Sequence, residues 1–173
     1  MDAPRYSIVT ASPGEALHEQ AVALSADKYR EHFGCRLREA YPAYLCLVRS
    51  GRPVAVCGLR RGTQRLFLQQ YLDVPVARLI AHRLGEHVDE RRLVELGSFA
   101  VRKRSLALPF MAAIAQELMD AGFTHAVATA TLPVRRCLHG LGIHTTRLAP
   151  ASAERLCGAT TDWGSYYSHR PAV

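Results

Sequence analysis

The sequence predicts an α/β domain: a central, twisted, mixed sheet with helices on both faces. Three observations predict it. Two apolar runs, AYLCLVR and PVAVCGLR, are joined by the turn residues Ser50, Gly51 and Arg52, which is a hairpin signal and calls for antiparallel pairing. Further along, a strand-like run over 91–101, a helical pattern over 106–119 and a second strand-like run over 124–131 follow one another, the order of a parallel crossover. That last run, THAVATAT, has no charged face, so both of its sides are expected to be covered.

The elements follow in order. Residues 6–10 (YSIVT) are short and β-prone, and SPGE reads as a helix start with Pro13 in its first turn. Leu17, Ala21, Leu24, Tyr29 and Phe33 keep helical spacing, and Gly34 supplies the stop. After the hairpin, LFLQQYLDV is apolar around an amide pair; Pro75 then opens a helical pattern that runs through Leu84. The helix over 106–119 ends at Ala121 and Gly122, and LPVRRCLHGLGI is a short helix with Pro133 at its start. Residues 151–157 are expected to form one more helix, and WGSYY an aromatic strand. No repeat, low-complexity tract or linker interrupts the chain, so residues 1–173 read as a single domain.

With 49% apolar and 21% charged residues, the chain can bury an ordinary core without staples. Its formal charge of +7 rests almost wholly on arginine, since Lys28 and Lys103 are the only lysines. Such a field favours anionic partners, or reflects nothing more than an arginine-rich composition. No nucleic-acid motif with interleaved aromatics accompanies it, and nucleic acid is not expected as a partner. The five cysteines include no CxxC pair, and the eight histidines show no ligand spacing near them. A metal site is therefore not expected, and a reducing compartment is. The start of the chain has no basic region followed by an apolar one, and no stretch reaches the length of a membrane span. The expectation is a cytoplasmic protein without stable membrane insertion.

The chemistry concentrates in LVELGSFAVRKRSL. Glu95 stands inside an otherwise apolar strand, where a carboxylate is costly unless it is paired, titrates abnormally or has a task. It is either a general base with a pKa raised by burial, or a structural partner of Arg91, Arg92 or Arg135. Alternation places Glu95, Gly97, Phe99 and Val101 on one face, and Val94, Leu96, Ser98 and Ala100 on the other. Arg102, Lys103 and Arg104 precede a helix for which Ser105 is the natural N-cap. Free N–H groups, the helix dipole and three cations make either an anion site or a solvated basic turn. Thr129 and Thr131 place two hydroxyls on one face of the next strand. The amides of Gln69 and Gln70 need partners within an apolar run. Trp163, Tyr166 and Tyr167 either close a core edge or line a pocket. The histidines form no recognisable pair, and no GxSxG elbow supports a serine hydrolase.

LFLQQYLD, RLVELGSFAV, the helix after it, ATAT–LPVRRCLHGLGI and WGSYYSHRPAV, in that order, resemble the bacterial thermostable hemolysin family over residues 66–173. VELGSFAV is also similar to a strand of the acyl-homoserine-lactone synthases, which share the fold of the GCN5-related N-acetyltransferases (GNAT). The resemblance implies a GNAT-like acyltransferase fold. It implies an acyl thioester donor, either the phosphopantetheine of an acidic acyl or polyketidyl carrier protein or acyl-CoA, and a small-molecule amine as acceptor. It further implies Glu95 as the strand carboxylate that orients or deprotonates the amine, the candidate general base. Phe99, Ala100 and Val101 would hold the pantetheine arm, and Arg102, Lys103, Arg104, Ser105 and Leu106 the phosphate end. Tyr166 and Tyr167 would stand near the acceptor or the leaving thiolate, with Tyr166 as the catalytic candidate. Gln69, Gln70, Tyr71, Ser98, Thr129, Thr131, Trp163 and Tyr167 would line the acceptor pocket. Two departures accompany it: Ser98 directly precedes Phe99 where the synthases carry an intervening arginine, and the acetyltransferase RxxGxG/A loop is absent. A membrane-active protein, or a non-catalytic module that binds acyl carrier proteins, are the alternative functions.

Overall fold

The computed structural model describes residues 6–37, 40–156 and 160–173. Five strands form one sheet in the order β1 (Tyr6–Ala11), β2 (Ala43–Arg49), β3 (Arg52–Arg61), β4 (Leu93–Val101) and β5 (His125–Ala128). The first three pairings are antiparallel, and β4 pairs with β5 in parallel. The β2–β3 hairpin turns through Ser50 at φ 51° and Gly51 at φ 73°, the two successive left-handed residues of a tight primed turn. The mixed sheet expected from the sequence is therefore present.

The helix α1 (Ala16–Phe33) joins β1 to β2 and packs on one face, where Ala21 and Leu24 meet Tyr44, Cys46, Val56 and Ala100. It ends on Gly34 at φ 67°, whose N–H donates to the Arg30 carbonyl. A 3-10 helix, Phe67–Tyr71, and α2 (Val76–Leu84) extend the same layer over β4 and β5 through Leu68, Ile80, Leu93 and Val127. The crossover helix α3 (Ala107–Asp120) lies on the other face, burying Phe110, Ile114 and Leu118 against Leu45, Ala55 and Val94. Helices cover both faces as predicted. The short helix α4 (Leu132–Gly140) follows β5.

Several local expectations are corrected. WGSYY is not a strand: Thr160–Trp163 and Tyr166–His169 are 3-10 helices. Gly164, at φ 49°, lies so close to the Phe33 carbonyl that a Cβ would overlap it, and Ser165 N–H donates to that carbonyl at 2.8 Å. The aromatic segment thus packs on the end of α1 rather than on a strand edge. The helix expected over 151–157 reduces to the 3-10 turn Ala153–Arg155, and Cys157 lies outside the described residues. The strand THAVATAT stops at Ala128; beyond it Ala130 makes a bridge to Ala172. Pro13 precedes α1 rather than opening it, because Glu15 occupies the N-cap position. Ser105 does not cap α3: it sits within a 3-10 turn, Arg104–Leu106, and Leu106 takes the cap position without a side-chain bond.

The correction that matters most concerns β4. Gly97 pairs with Gly58 and Ala100 with Val56, so Ser98 and Phe99 together oppose the single residue Cys57. This is a β-bulge, and Ser98 adopts φ 47° to form it. The extra residue reverses the alternation. Phe99 and Val101 join Val94 and Leu96 in the α3 core, while Ala100 faces the α1 side with Glu95 and Gly97. Phe99 and Val101 therefore do not share the side of Glu95.

Candidate functional site

Glu95 is 1% exposed, and neither Arg91, Arg92 nor Arg135 is its partner. Its two oxygens each accept a backbone N–H at 2.8 Å, one from Phe67 and one from Leu68. These are free donors because they open a 3-10 helix, whose first N–H groups lack internal partners. Arg60 Nη1 stands 3.9 Å away, a charge partner beyond hydrogen-bond reach. Burial raises the Glu95 pKa, opposed by the N–H groups of Leu68 and Phe67 and by the Arg60 charge. The carboxylate thus fastens the segment 67–71 to β4.

On the same face lies a cavity of about 200 Å³. Leu96, Gly97 and Ser98 form its β4 wall and Thr129 its β5 end. The two strands pair only as far as Leu96 and Ala128, so the cavity opens where they part. Phe67, Tyr71, Trp163 and Tyr166 supply an aromatic wall, with Trp163 5.6 Å from Phe67 and 5.4 Å from Tyr166 between ring centroids. Tyr29, Tyr41, Arg60 and Gln70 complete the lining used below. Tyr41 lies across the glycine pair Gly58 and Gly97, where a Cβ at either position would fall inside its ring.

The residues singled out in the sequence separate in this geometry. Gln70, Tyr71, Ser98, Thr129, Trp163 and Tyr166 are brought together around the cavity. Gln69 is not: its amide donates to the Val74 carbonyl at 2.9 Å and accepts the Val76 N–H at 3.0 Å, closing the turn into α2. Tyr167 stands behind the wall, sharing a 2.6 Å hydrogen bond with the Tyr71 hydroxyl. Thr131 is buried at the start of α4. Glu95 lies behind Arg60 and Phe67 and does not itself line the cavity. The Thr129 hydroxyl is buried without a hydrogen-bond partner among the described residues, where β4 and β5 part.

At the far end of β4, Arg102 is tied down: its backbone N–H donates to Val54 at 2.8 Å and its Nε to Pro53 at 3.0 Å. Lys103 and Arg104 are exposed and make no side-chain hydrogen bond or ion pair among the described residues. Phe99 stacks on Phe110 at 5.8 Å, so its side chain serves the core and only its backbone belongs to the strand edge.

Burial holds Tyr29 and Tyr41 well above the ordinary phenol range. It raises Tyr166 as well, with Tyr167 and Cys35 adding to the effect, and Tyr166 donates to the Thr129 carbonyl at 3.1 Å. Burial also pushes the Cys57 thiol up to about 12 and those of Cys35 and Cys46 to about 11. These groups are protonated at neutral pH, and the thiols are poor nucleophiles. Among the described residues no three or more His, Cys, Asp or Glu side chains converge on a common metal position, and no helix is long and apolar enough to cross a membrane. Tyr29, Tyr41 and Arg60 were missed in the sequence. Tyr29 keeps the helical spacing of a core residue, and the pairing of Gly58 with Gly97 that seats Tyr41 exists only in three dimensions.

The sequence profile of the family described as thermostable hemolysin matches residues 11–173. No curated protein sequence matches. Among solved structures, the acyl-homoserine lactone synthase BjaI, described as CoA-dependent and bound to MTA, superposes with TM-score 0.67 at 22% identity, covering 87% of this chain and 79% of that one. The synthase LasI gives 0.63 at 15% identity, covering 87% and 84%. TofI gives 0.57 at 20% identity, covering 84% and 83%. At these identities the likeness is one of fold, and the fold is GNAT-like.

Proposed function

The chain belongs to the thermostable hemolysin family, and from that premise and the geometry of its site we propose that it is an N-acyltransferase. In this reading an acyl group passes from the phosphopantetheine thioester of a carrier protein, or from acyl-CoA, to a small amine. The observation that carries the proposal is the bulged strand β4 parting from β5 beside an aromatic-walled cavity. A strand edge left unpaired within a domain is a place where an extended amide-bearing chain can add. The edge from Phe99 to Val101, which β5 does not pair, suits the pantetheine amides. Lys103 and Arg104, past its end, suit the phosphate. That the synthase BjaI was solved with SAM and isopentyl-CoA supports a thioester donor in this fold.

The amine attacks the thioester carbonyl from the cavity side, the N–C bond forms and the C–S bond breaks. We assign the leaving thiolate's proton to Tyr166, whose phenol burial keeps protonated. The bulge backbone around Ser98 is assigned the task of polarising the carbonyl. Glu95, with both oxygens already bonded and the cavity wall in front of it, is assigned a positioning role: it holds the segment 67–71 and sets Arg60. The ammonium loses its first proton to solvent before it attacks, and the second proton, released from nitrogen as the amide forms, returns to the Tyr166 phenolate.

The test is thiol release. Purified protein is mixed with acyl-carrier-protein or acyl-CoA thioesters and a panel of amines, with mass spectrometry of the products. Release of thiol together with an amide product supports the reading; no amine-dependent release with either donor class overturns it.

A further inference from the structure

Arg60 is the least expected member of the cavity lining. Its side chain is only 13% exposed, and a guanidinium brings five N–H donors in a planar fork. Within the described residues one of these donors is used, and weakly: Nη1 reaches the Arg65 carbonyl at 3.4 Å. Glu95 stands too far for a hydrogen bond, and its oxygens are already taken by Phe67 and Leu68. The Tyr41 ring lies against the guanidinium at 4.9 Å, and Tyr41 is itself seated on Gly58 and Gly97. The fork is therefore held in a fixed plane, nearly desolvated, with donors to spare at the cavity wall.

A buried cation with unspent donors attracts an anion. A planar fork matches a carboxylate or a phosphate oxygen pair. Glu95 beside it and Asp162 in the lining lower the negative charge the pocket can accept, and the other arginine of the lining, Arg36, is exposed. One desolvated cation next to a carboxylate balances a monoanion better than a dianion, which favours carboxylate over phosphate. Size adds a second limit. The cavity of about 200 Å³ is smaller than the ~300–1,000 Å³ of sites for drug-sized ligands. The aromatic rings on its opposite wall offer an apolar or cation-attracting surface to whatever the carboxylate carries.

We propose that the cavity takes an amine that bears its own carboxylate, a molecule of amino-acid size, with Arg60 binding the carboxylate and the wall of Phe67, Tyr71 and Trp163 receiving the side chain. Its naming as the acyl acceptor rests on the acyl-transfer reading above; the carboxylate site itself does not.

Trp163 is the only tryptophan of the chain and lines the cavity, so its fluorescence reports binding without any reaction. The experiment titrates the full-length protein with aliphatic and aromatic L-amino acids, their methyl esters, the corresponding decarboxylated amines and phosphoethanolamine. The expected result is saturable quenching by at least one free amino acid with a Kd of about 1 mM or tighter, and binding at least ~10-fold weaker for its ester and decarboxylated amine. Arg60→Lys keeps the charge but loses the fork and weakens binding several-fold; Arg60→Met abolishes the preference for the acid. The comparison of acid with ester in the unmodified protein stands even if Arg60→Met fails to fold. Equal binding of acid and ester, tighter binding of phosphoethanolamine, or no binding of any amino acid overturns the proposal. Amino-acid binding without thiol release from any donor would leave the carboxylate site standing and remove only the transferase reading.

Discussion

Replacing Glu95 by glutamine tests whether this carboxylate holds the wall or takes the proton. Its two oxygens accept N–H groups from Phe67 and Leu68, each at 2.8 Å. Charge-assisted bonds of this kind contribute about 1.5–3 kcal/mol each. Glutamine keeps one acceptor oxygen but turns an NH₂ group toward the other backbone N–H, leaving a buried donor facing a donor. Removing the buried charge returns part of its desolvation penalty, so the net loss is about 2–3 kcal/mol. For a chain of this length that lowers Tm by roughly 4–12 °C. Differential scanning calorimetry reads the shift, and the pH–rate profile of thiol release separates the two roles. If Glu95 positions, the Glu95→Gln enzyme is slower, but its rate climbs with pH as the wild type's does, following the amine. If Glu95 is the base, the rise seen in the wild type as its carboxyl ionises disappears. A Tm within about 1 °C of wild type, together with loss of that rise, would refute the clamp and restore the general base.

Four further outcomes are expected. Because burial raises the Glu95 pKa, the folded state takes up this proton more readily than the unfolded one. The stability Glu95 contributes therefore falls as pH rises from its ordinary value of 4.5 through the folded pKa, and the Tm difference between wild type and Glu95→Gln should shrink across that window. Gly97→Ala would drive a methyl into the Tyr41 ring and should destabilise by about 1–3 kcal/mol while closing the cavity, seen as a lower urea midpoint and lost Trp163 quenching. Tyr71→Phe removes the partner of the Tyr167 hydroxyl and should lower Tm by roughly 2–4 °C, from a loss near 1 kcal/mol. The pair Lys103→Ala and Arg104→Ala, both exposed, should leave Tm unchanged, raise KM for the thioester donor several-fold and flatten its dependence on salt.

How much of this was legible depended on whether the signal was local. Gly51 announces the hairpin because glycine takes the left-handed turn at no steric cost, and Gly34 announces the end of α1 for the same reason. The oddness of Glu95 was legible too, since any carboxylate in LVELG must be answered. Its partners were not, because the N–H groups that answer it belong to Phe67 and Leu68, far along the chain and with no polar side chain to mark them. The segment WGSYY misled for a related reason. Its β-prone rings fit a strand, yet Gly164 against the Phe33 carbonyl docks it on α1. The bulge carried no signal at all: serine is not a residue that demands φ 47°, and only the pairing of Ala100 with Val56 reveals the added residue.

That added residue has a consequence for how the site can change. Along β4 the meaning of odd and even positions is exchanged at Ser98. Upstream, odd positions address the cavity side and even ones the α3 core; downstream, Phe99 and Val101 serve that core and Ala100 faces the other way. Deleting Ser98 would restore a single parity and leave every other side chain of the strand on its present face, so only the bulge itself would be lost. A substitution at Gly97 reaches the cavity side, whereas one at Val94, Phe99 or Val101 reaches the α3 core. One strand thus feeds the same core from even positions before Ser98 and from odd positions after it.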